Sequence, residues 1–296
     1  MIGTELLDDR RADPRAVRSE LGDIARLNAL FGGTRAVLDA LEPFLRDSCK
    51  VQRATCDVHW TLLDVGTGSG DIARAVTEAA RRRGITLTPI GLEVIPVAAR
   101  LARGNGVDVV MGDGSALPFA PKSVDIVIAS QVLHHLPRAV AVRWIAGFDR
   151  VARRAVALAD LRRSRVAMAG VWLAGHALRM DATTRHDAVV SLRRGYTRRE
   201  LDTMLAEAGV AAAARYRPGF RIVASWEPCA PSTNSLSVRR SLASFSSRVR
   251  SSVGPISSRT TAGSGFWTAA TAAAPSRWPR GARSDCYAIP FGGCPR

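Results

Sequence analysis

The glycine-rich stretch DVGTGSGD at residues 64–71 contains the residue types best suited to holding a ligand. Its alternating glycines allow the backbone to approach a ligand closely. A dinucleotide-binding loop of the G-x-G-x-x-G type would have its third glycine at position 71, where this chain has Asp71. Asp64 and Asp71 would repel a pyrophosphate and attract a cation. The loop therefore favours a positively charged ligand over the cofactor of a nicotinamide-dependent dehydrogenase.

Further polar residues follow three later apolar runs. Glu93 stands at the distance from the glycine loop at which an acidic side chain can accept hydrogen bonds from both hydroxyls of a ribose. Asp113 can accept a hydrogen bond from an adenine amino group. His134 and His135 follow the last of these three runs. Because imidazole titrates near neutral pH, either could act as a general base. A structural role, with one imidazole in the core, is the alternative for this pair.

Alternating apolar and helical segments surround these polar groups. Apolar runs predict strands at 60–65, 87–93, 107–111, 125–129 and 155–159. Helical periodicity predicts helices at 70–83, 96–104 and 138–150. Such alternation favours a parallel sheet with helices on both faces, in which ligands bind at the carboxyl ends of the strands. We therefore expect the polar groups to meet at one edge of the sheet.

Additional helices are predicted on either side of this pattern. Residues 14–48 have the periodicity of two helices that separate at Gly32–Gly33, with Thr34 as the cap of the second. A helical insert is expected at 163–190. A further helix at 197–210 and two closing strands within 212–226 complete the pattern.

Three regions follow from this organisation: an N-terminal helical cap at 1–59, a main domain at 60–227 and a tail at 228–296. The tail is rich in Ser and Arg and has no sustained periodicity, which favours disorder. Two alternatives are that the tail is an arm that touches RNA or a membrane, or that it is sequence translated out of frame.

The amino-acid composition argues against several classes of partner and location. The formal net charge is +16, but residues 231–296 alone contain nine Arg and one Asp. The Arg-rich usage is typical of a GC-rich bacterial genome, so a nucleic-acid partner is considered unlikely. The five cysteines have no metal-ligand spacing, and we predict free thiols and no metal. The longest apolar run, 166–178, is too short to span a bilayer and no signal peptide is evident, so a cytoplasmic location is expected.

Four motifs together resemble those of a known family. LLDVGTGSGD, GLEVIP, GDGSALPF and SVDIVIASQVLHHL are similar, in order and spacing, to motifs of the class I S-adenosylmethionine-dependent methyltransferases. The resemblance is strongest to the small-molecule branch that includes the ubiquinone and menaquinone biosynthesis enzymes, and it covers about residues 60–226. It implies a Rossmann-like, doubly wound α/β fold. Its seven-stranded, mainly parallel sheet would have a reversed last strand and a helical insert after the fifth strand.

The same resemblance implies S-adenosylmethionine as the cofactor. The glycine loop would surround its methionyl part, Glu93 would bind the ribose, and Asp113 with Gly114 would lie near the adenine. The full set of implied cofactor-binding residues is Asp64, Gly66, Thr67, Gly68, Ser69, Gly70, Glu93, Val94, Asp113, Gly114, Ser130 and Gln131.

The methyl acceptor is less closely defined. Amino methyltransferases that act on nucleic-acid bases usually have an Asn/Asp-Pro-Pro-aromatic motif after the fourth strand, where this chain reads SQVL. We therefore expect an oxygen or carbon acceptor in an apolar small molecule of phenol, quinone or polyketide type. His134 or His135 would be the catalytic base, with His134 preferred by analogy. The alternative is a catalytically silent nucleoside-binding protein whose basic tail touches nucleic acid.

The insert is expected to contribute to the acceptor pocket. In the family, this stretch (163–196 here) and the N-terminal helices cover the pocket. Its apolar residues could form one wall or simply pack on neighbouring helices: Val166, Met168, Val171, Trp172 and Leu173. His176, His186, Arg185 and Tyr196 are polar groups that could meet a phenol or carboxylate, with a place on the surface as the alternative for each. The oligomeric state is left open.

Overall fold

The computed structural model describes residues 4–51 and 58–229. The chain divides into two units, Met1–Cys229 and Ala230–Arg296. The second unit lies outside the described residues. The disorder expected for the tail therefore stays a prediction.

A seven-stranded sheet forms the centre of the first unit. Its strands are β1 (Val58–Val65), β2 (Ile85–Glu93), β3 (Asp108–Met111), β4 (Val124–Ser130), β5 (Ala152–Leu161), β6 (Arg215–Arg217) and β7 (Arg221–Trp226). Their order is β3-β2-β1-β4-β5-β7-β6. Strands β1 to β5 pair in parallel, and β7 runs antiparallel to both of its neighbours. The doubly wound, Rossmann-like fold with a reversed last strand is confirmed.

Eight α-helices accompany the sheet in the described part of the chain. They are α1 (Pro14–Leu30), α2 (Gly33–Val51), α3 (Asp71–Arg81), α4 (Pro96–Gly104), α5 (Arg138–Val151), α6 (Arg165–Ala177), α7 (Ala182–Arg194) and α8 (Arg198–Glu207). None of these described helices is long and apolar enough to span a membrane. The insert after β5 consists of two helices, α6 and α7.

Strand β4 shows why the sheet is covered on both faces. Ile126 and Ile128 pack in one cluster with residues of α2 and α3. Val127 packs in another cluster with residues of α5 and α8. All three side chains have no exposed surface. The continuous apolar run at 126–129 therefore indicates a central parallel strand, because alternate side chains face two different helical layers.

The two N-terminal helices separate where the glycines predict, but the cap predicted for the second helix is wrong. Asp13 caps α1 by accepting a hydrogen bond from the Ala16 backbone N–H at 3.2 Å. Helix α2 begins at Gly33, so Thr34 lies within its first turn and the predicted Thr34 cap is wrong. A Cβ at position 33 would lie 2.4 Å from Asn28 Oδ1. Glycine fits here because a Cβ would collide with the buried side chain of Asn28 in α1.

Candidate functional site

A cavity of about 200 Å³ lies at the carboxyl ends of β1 and β4. Nine of the predicted site residues line it: Asp64, Gly66, Thr67, Gly68, Ser69, Ser130, Gln131, His134 and His135. The N-terminal segment, α1 and α7 contribute the opposite wall, including Leu21, Ile24 and Leu27. The structure thus brings the glycine loop and the histidine pair to one cavity.

The glycine loop has a backbone that only glycine adopts easily. Gly66, Gly68 and Gly70 have φ angles of +73°, +56° and +77°. A Cβ on Gly66 would lie 2.7 Å from Val132 Cγ2. The Gly66 N–H donates to the Leu92 carbonyl at 2.9 Å, which fixes the loop to the end of β2. The alternation of glycines therefore reflects both positive φ angles and close packing.

Asp64 lies at the base of this loop and is 2% exposed. Its Oδ2 accepts a hydrogen bond from Thr67 Oγ1 at 2.9 Å. Burial, assisted by the negative charges of Asp71 and Glu93, raises the pKa of Asp64 to about 7. A carboxylate that burial disfavours in this way gains most from a cationic ligand.

Glu93 connects the end of β2 to the glycine loop. Its Oε2 accepts from the Gly68 N–H at 2.9 Å, and its Oε1 accepts from the N–H groups of Val94 and Ile95 at 2.8 and 2.9 Å. The side chain is buried but does not line the cavity. In this structure the carboxylate therefore holds the backbone around the site.

Asp113 also lies outside the cavity. Its Oδ1 accepts from the Ser115 N–H at 2.8 Å, and its Oδ2 pairs with the Arg10 guanidinium at 2.9 Å. The hydrogen bonds from Ser115 and the charge of Arg10 lower the pKa of Asp113. The predicted residues that do not line the cavity are Gly70, Glu93, Val94, Asp113 and Gly114. The residues assigned to the cofactor's nucleoside thus lie beside the cavity rather than in its wall.

His134 is held by a buried carboxylate. Its Nδ1 lies 2.6 Å from Asp160 Oδ1, and its backbone N–H donates to Asp160 Oδ2 at 3.3 Å. Burial disfavours the charged imidazole, but the charge and hydrogen bond of Asp160 outweigh it and raise the pKa of His134. With a proton on Nδ1, the Nε2 atom is an acceptor, and it has no hydrogen-bond partner among the described residues. This is the arrangement of an oriented general base.

Two glutamates of the N-terminal region complete the cavity, and the sequence analysis missed both. Glu5 is buried, and its Oε2 lies 3.7 Å from His135 Nε2. Glu20 is also buried and lines the cavity; burial and the negative charges of Asp187 and Glu5 raise its pKa to about 8. No local motif marks either residue, because their partners are distant in sequence.

The insert lines the cavity, but mostly through residues other than those predicted: Ala167, Gly170 and Val171 of α6, and Thr184, Asp187, Ala188, Ser191 and Leu192 of α7. Of the predicted residues, Val171 lines the cavity, and Met168 packs on a small cluster beside it. Val166, Trp172 and Leu173 are 71%, 50% and 61% exposed, so their assignment to an acceptor wall or a packed helix interface is wrong. His176 and His186 are exposed and do not line the cavity.

Comparisons with known proteins agree with this geometry. A family model described as a methyltransferase domain matches residues 63–158. An uncharacterized methyltransferase of Mycolicibacterium gilvum (strain PYR-GCK) is 34% identical over 158 residues, which are 50% of this chain and 55% of that protein. Another, from Mycolicibacterium paratuberculosis, is 42% identical over 78 residues, which are 26% of this chain and 30% of that protein. The chain therefore matches about half or less of the length of these curated relatives.

Among solved structures, one described as "PigF with SAH" has a TM-score of 0.50 and is 17% identical. The similarity covers 76% of this chain and 62% of that chain, and it concerns the fold alone. The sheet order, the glycine loop after β1 and the matched residues lead to one assignment. Residues 63–158 are similar to a methyltransferase domain, and the sheet around them has the fold expected of the class I S-adenosylmethionine-dependent methyltransferases.

Proposed function

We propose that this protein transfers a methyl group from S-adenosylmethionine to an oxygen or carbon atom of an apolar small molecule. The main support is that the glycine loop and the imidazoles of His134 and His135 line the same cavity. A methyl donor held at the loop and an acceptor held at the histidines would then be neighbours. Closeness and alignment are the main requirements of a direct displacement.

In this proposal, the glycine loop holds the methionyl part of the cofactor. Asp64 and Asp71 place negative charge beside the cofactor's amino and sulfonium groups, and Ser130 and Gln131 border the same space. The nucleoside part would bind beside Glu93 and Asp113. Because Arg10 pairs with Asp113 in this structure, binding there requires Arg10 to move.

His134 is proposed as the group that receives the acceptor's proton. As the acceptor oxygen bonds to the methyl carbon, the S–CH₃ bond breaks and its electrons stay on sulfur, giving S-adenosylhomocysteine. The O–H proton passes to Nε2, while Asp160 stabilises the resulting imidazolium. The apolar side chains of α1 around the cavity exclude water from the reaction.

The proposal is tested by incubating the protein with labelled S-adenosylmethionine and a panel of phenols, quinones and polyketides. Formation of S-adenosylhomocysteine that depends on one acceptor class supports it. Tight cofactor binding with no product from any acceptor would favour the catalytically silent nucleoside-binding protein. A small-molecule partner and a cytoplasmic location both stay predictions.

Cofactor affinity is expected to depend on the ionisation of Asp64. Since the pKa of this carboxyl is about 7, above the ordinary value of 3.8, it becomes protonated and neutral as pH falls through 7. The affinity for S-adenosylmethionine should therefore fall roughly tenfold or more between pH 7.5 and pH 5.5. Isothermal titration across this range measures the effect.

Asp64→Asn provides the matched control for this prediction. The amide keeps the shape of the side chain but cannot ionise, so its affinity should be low at pH 7.5 and should not fall as pH decreases. The cofactor's own amino group cannot cause weaker binding at low pH, because α-amino groups titrate at about 7.7–8.0 and only become more fully charged below that range. An equally steep loss of affinity in Asp64→Asn would show that another group is responsible.

A further inference from the structure

Three side chains that face the cavity point ligand atoms at one another. Glu5, His134 and His135 each offer one such atom, and the three atoms all lie within 4.8 Å of one another. Glu5 Oε2 is 4.0 Å from His134 Nε2 and 3.7 Å from His135 Nε2. His134 is 2% exposed at its side chain, and its Nε2 has no hydrogen-bond partner among the described residues. A buried nitrogen without a partner is costly unless a ligand occupies the site.

The surroundings of the two imidazoles are those of metal-binding histidines. His134 Nδ1 lies 2.6 Å from Asp160, and His135 Nδ1 lies 2.8 Å from Asp8. A carboxylate on the far nitrogen fixes the tautomer and directs the other nitrogen, here Nε2, toward a metal. Neighbouring carboxylates therefore hold both imidazoles in an orientation that suits metal coordination.

Glu5 is oriented in a comparable way. Its Oε1 lies 3.0 Å from the Arg194 guanidinium, while its Oε2 faces the imidazoles and accepts a hydrogen bond from Ser191 Oγ. Arg194 also pairs with Asp8 at 2.9 Å, so a single cation holds both Glu5 and Asp8. Arg194 neutralises part of the negative charge but leaves Oε2 directed at the imidazoles.

We propose that Glu5, His134 and His135 bind a divalent transition-metal ion of the Zn²⁺ type. Two imidazole nitrogens and one carboxylate oxygen suit such ions, and three protein ligands leave a coordination position open. Zn–N distances of about 2.0–2.1 Å place tetrahedral ligand atoms about 3.3–3.4 Å apart, so Glu5 Oε2 must approach the two Nε2 atoms by about half an ångström. Small rotations of Glu5, which lies in the segment before α1, supply this movement.

This inference rests on the proposed function, since the open position faces the cavity assigned to the methyl acceptor. A metal ion held there would lower the pKa of an acceptor hydroxyl at the open position and so favour its deprotonated, more nucleophilic form. The metal and a proton compete for His134 Nε2. In the metal-loaded protein, His134 is therefore a ligand instead of the base.

The test uses Co²⁺ as a spectroscopic probe on the full, untagged chain after treatment with a chelator. We expect visible ligand-field absorption that saturates with Co²⁺ and is removed by Zn²⁺. Glu5→Gln and His135→Ala should each weaken Co²⁺ binding by at least about tenfold. His176→Ala and His186→Ala replace exposed histidines outside the cavity and should leave binding unchanged.

S-adenosylmethionine binding by each variant serves as the folding check. Equal Co²⁺ binding by Glu5→Gln, His135→Ala and the unaltered chain would overturn the proposed metal site. So would a lack of Co²⁺ binding by a chain that still forms S-adenosylhomocysteine, which would leave the proposed function intact. Co²⁺ binding with the expected variant pattern, but without cofactor binding, would support the metal site and contradict the proposed function.

Discussion

Gly66→Ala is expected to weaken S-adenosylmethionine binding by at least about a hundredfold, which corresponds to about 2.7 kcal/mol. Gly66 has a φ of +73°, and a Cβ there would lie 2.7 Å from Val132 Cγ2 and 3.1 Å from Val132 Cβ. Relief of this clash must displace the loop or the turn that begins at Val132 and carries His134. Isothermal titration at a pH above 7 measures the loss.

Gly84→Ala is the matched control for this substitution. Gly84 has a φ of +75°, but a Cβ there meets nothing within 4 Å. Gly84→Ala therefore introduces the same backbone strain as Gly66→Ala, but it causes no steric clash and lies away from the cavity. Thermal unfolding of both variants separates loss of folding from loss of binding. Unchanged cofactor affinity in folded Gly66→Ala would show that the cofactor does not bind at this loop.

His134→Ala is expected to reduce turnover by about 10²–10⁴-fold while cofactor affinity stays within a few-fold. The expectation holds whether Nε2 receives the acceptor's proton or binds a metal ion, because both roles need this nitrogen. Steady-state rates with a reactive acceptor, together with titration of S-adenosylmethionine, separate the two effects.

Asp160→Asn and His176→Ala complete this comparison. Asp160→Asn keeps the shape of the side chain but removes the charge that fixes His134 Nδ1, so turnover should also fall. His176 is exposed and its Nδ1 lies 2.8 Å from the Trp172 carbonyl, so His176→Ala should have normal turnover. Normal turnover in His134→Ala would remove both proposed roles of this residue.

The sequence predicts the sheet well because its signals are local. Each unit from β1 to α5 has its own apolar run and its own turn residues, and the glycine loop follows directly from residues 64–71. The parallel connection rule then brings the ends of β1 and β4 together without knowledge of any contact. The position of His134 at the same cavity as Asp64 is a consequence of this topology.

Contacts between distant segments could not be predicted in this way. Glu5 meets His134 across more than a hundred residues, and Glu20 meets Asp187 in α7 across a similar distance. The apolar composition of α6 suggested burial, but burial requires a partner surface, and the side of the helix with Trp172 and Leu173 has none in the described part of the chain. Periodicity shows that a helix has an apolar side but does not show what covers it.

The ion pair between Arg10 and Asp113 affects how ligands exchange. Its side chains are 62% and 45% exposed, and pairs of this kind contribute only about 0–1 kcal/mol. Thermal fluctuations at room temperature therefore separate the two groups often, and dissolved salt screens their attraction further. The ion pair is thus a weak, salt-sensitive barrier at the place assigned to the adenosine part of the cofactor. The association rate of the cofactor should therefore increase with ionic strength.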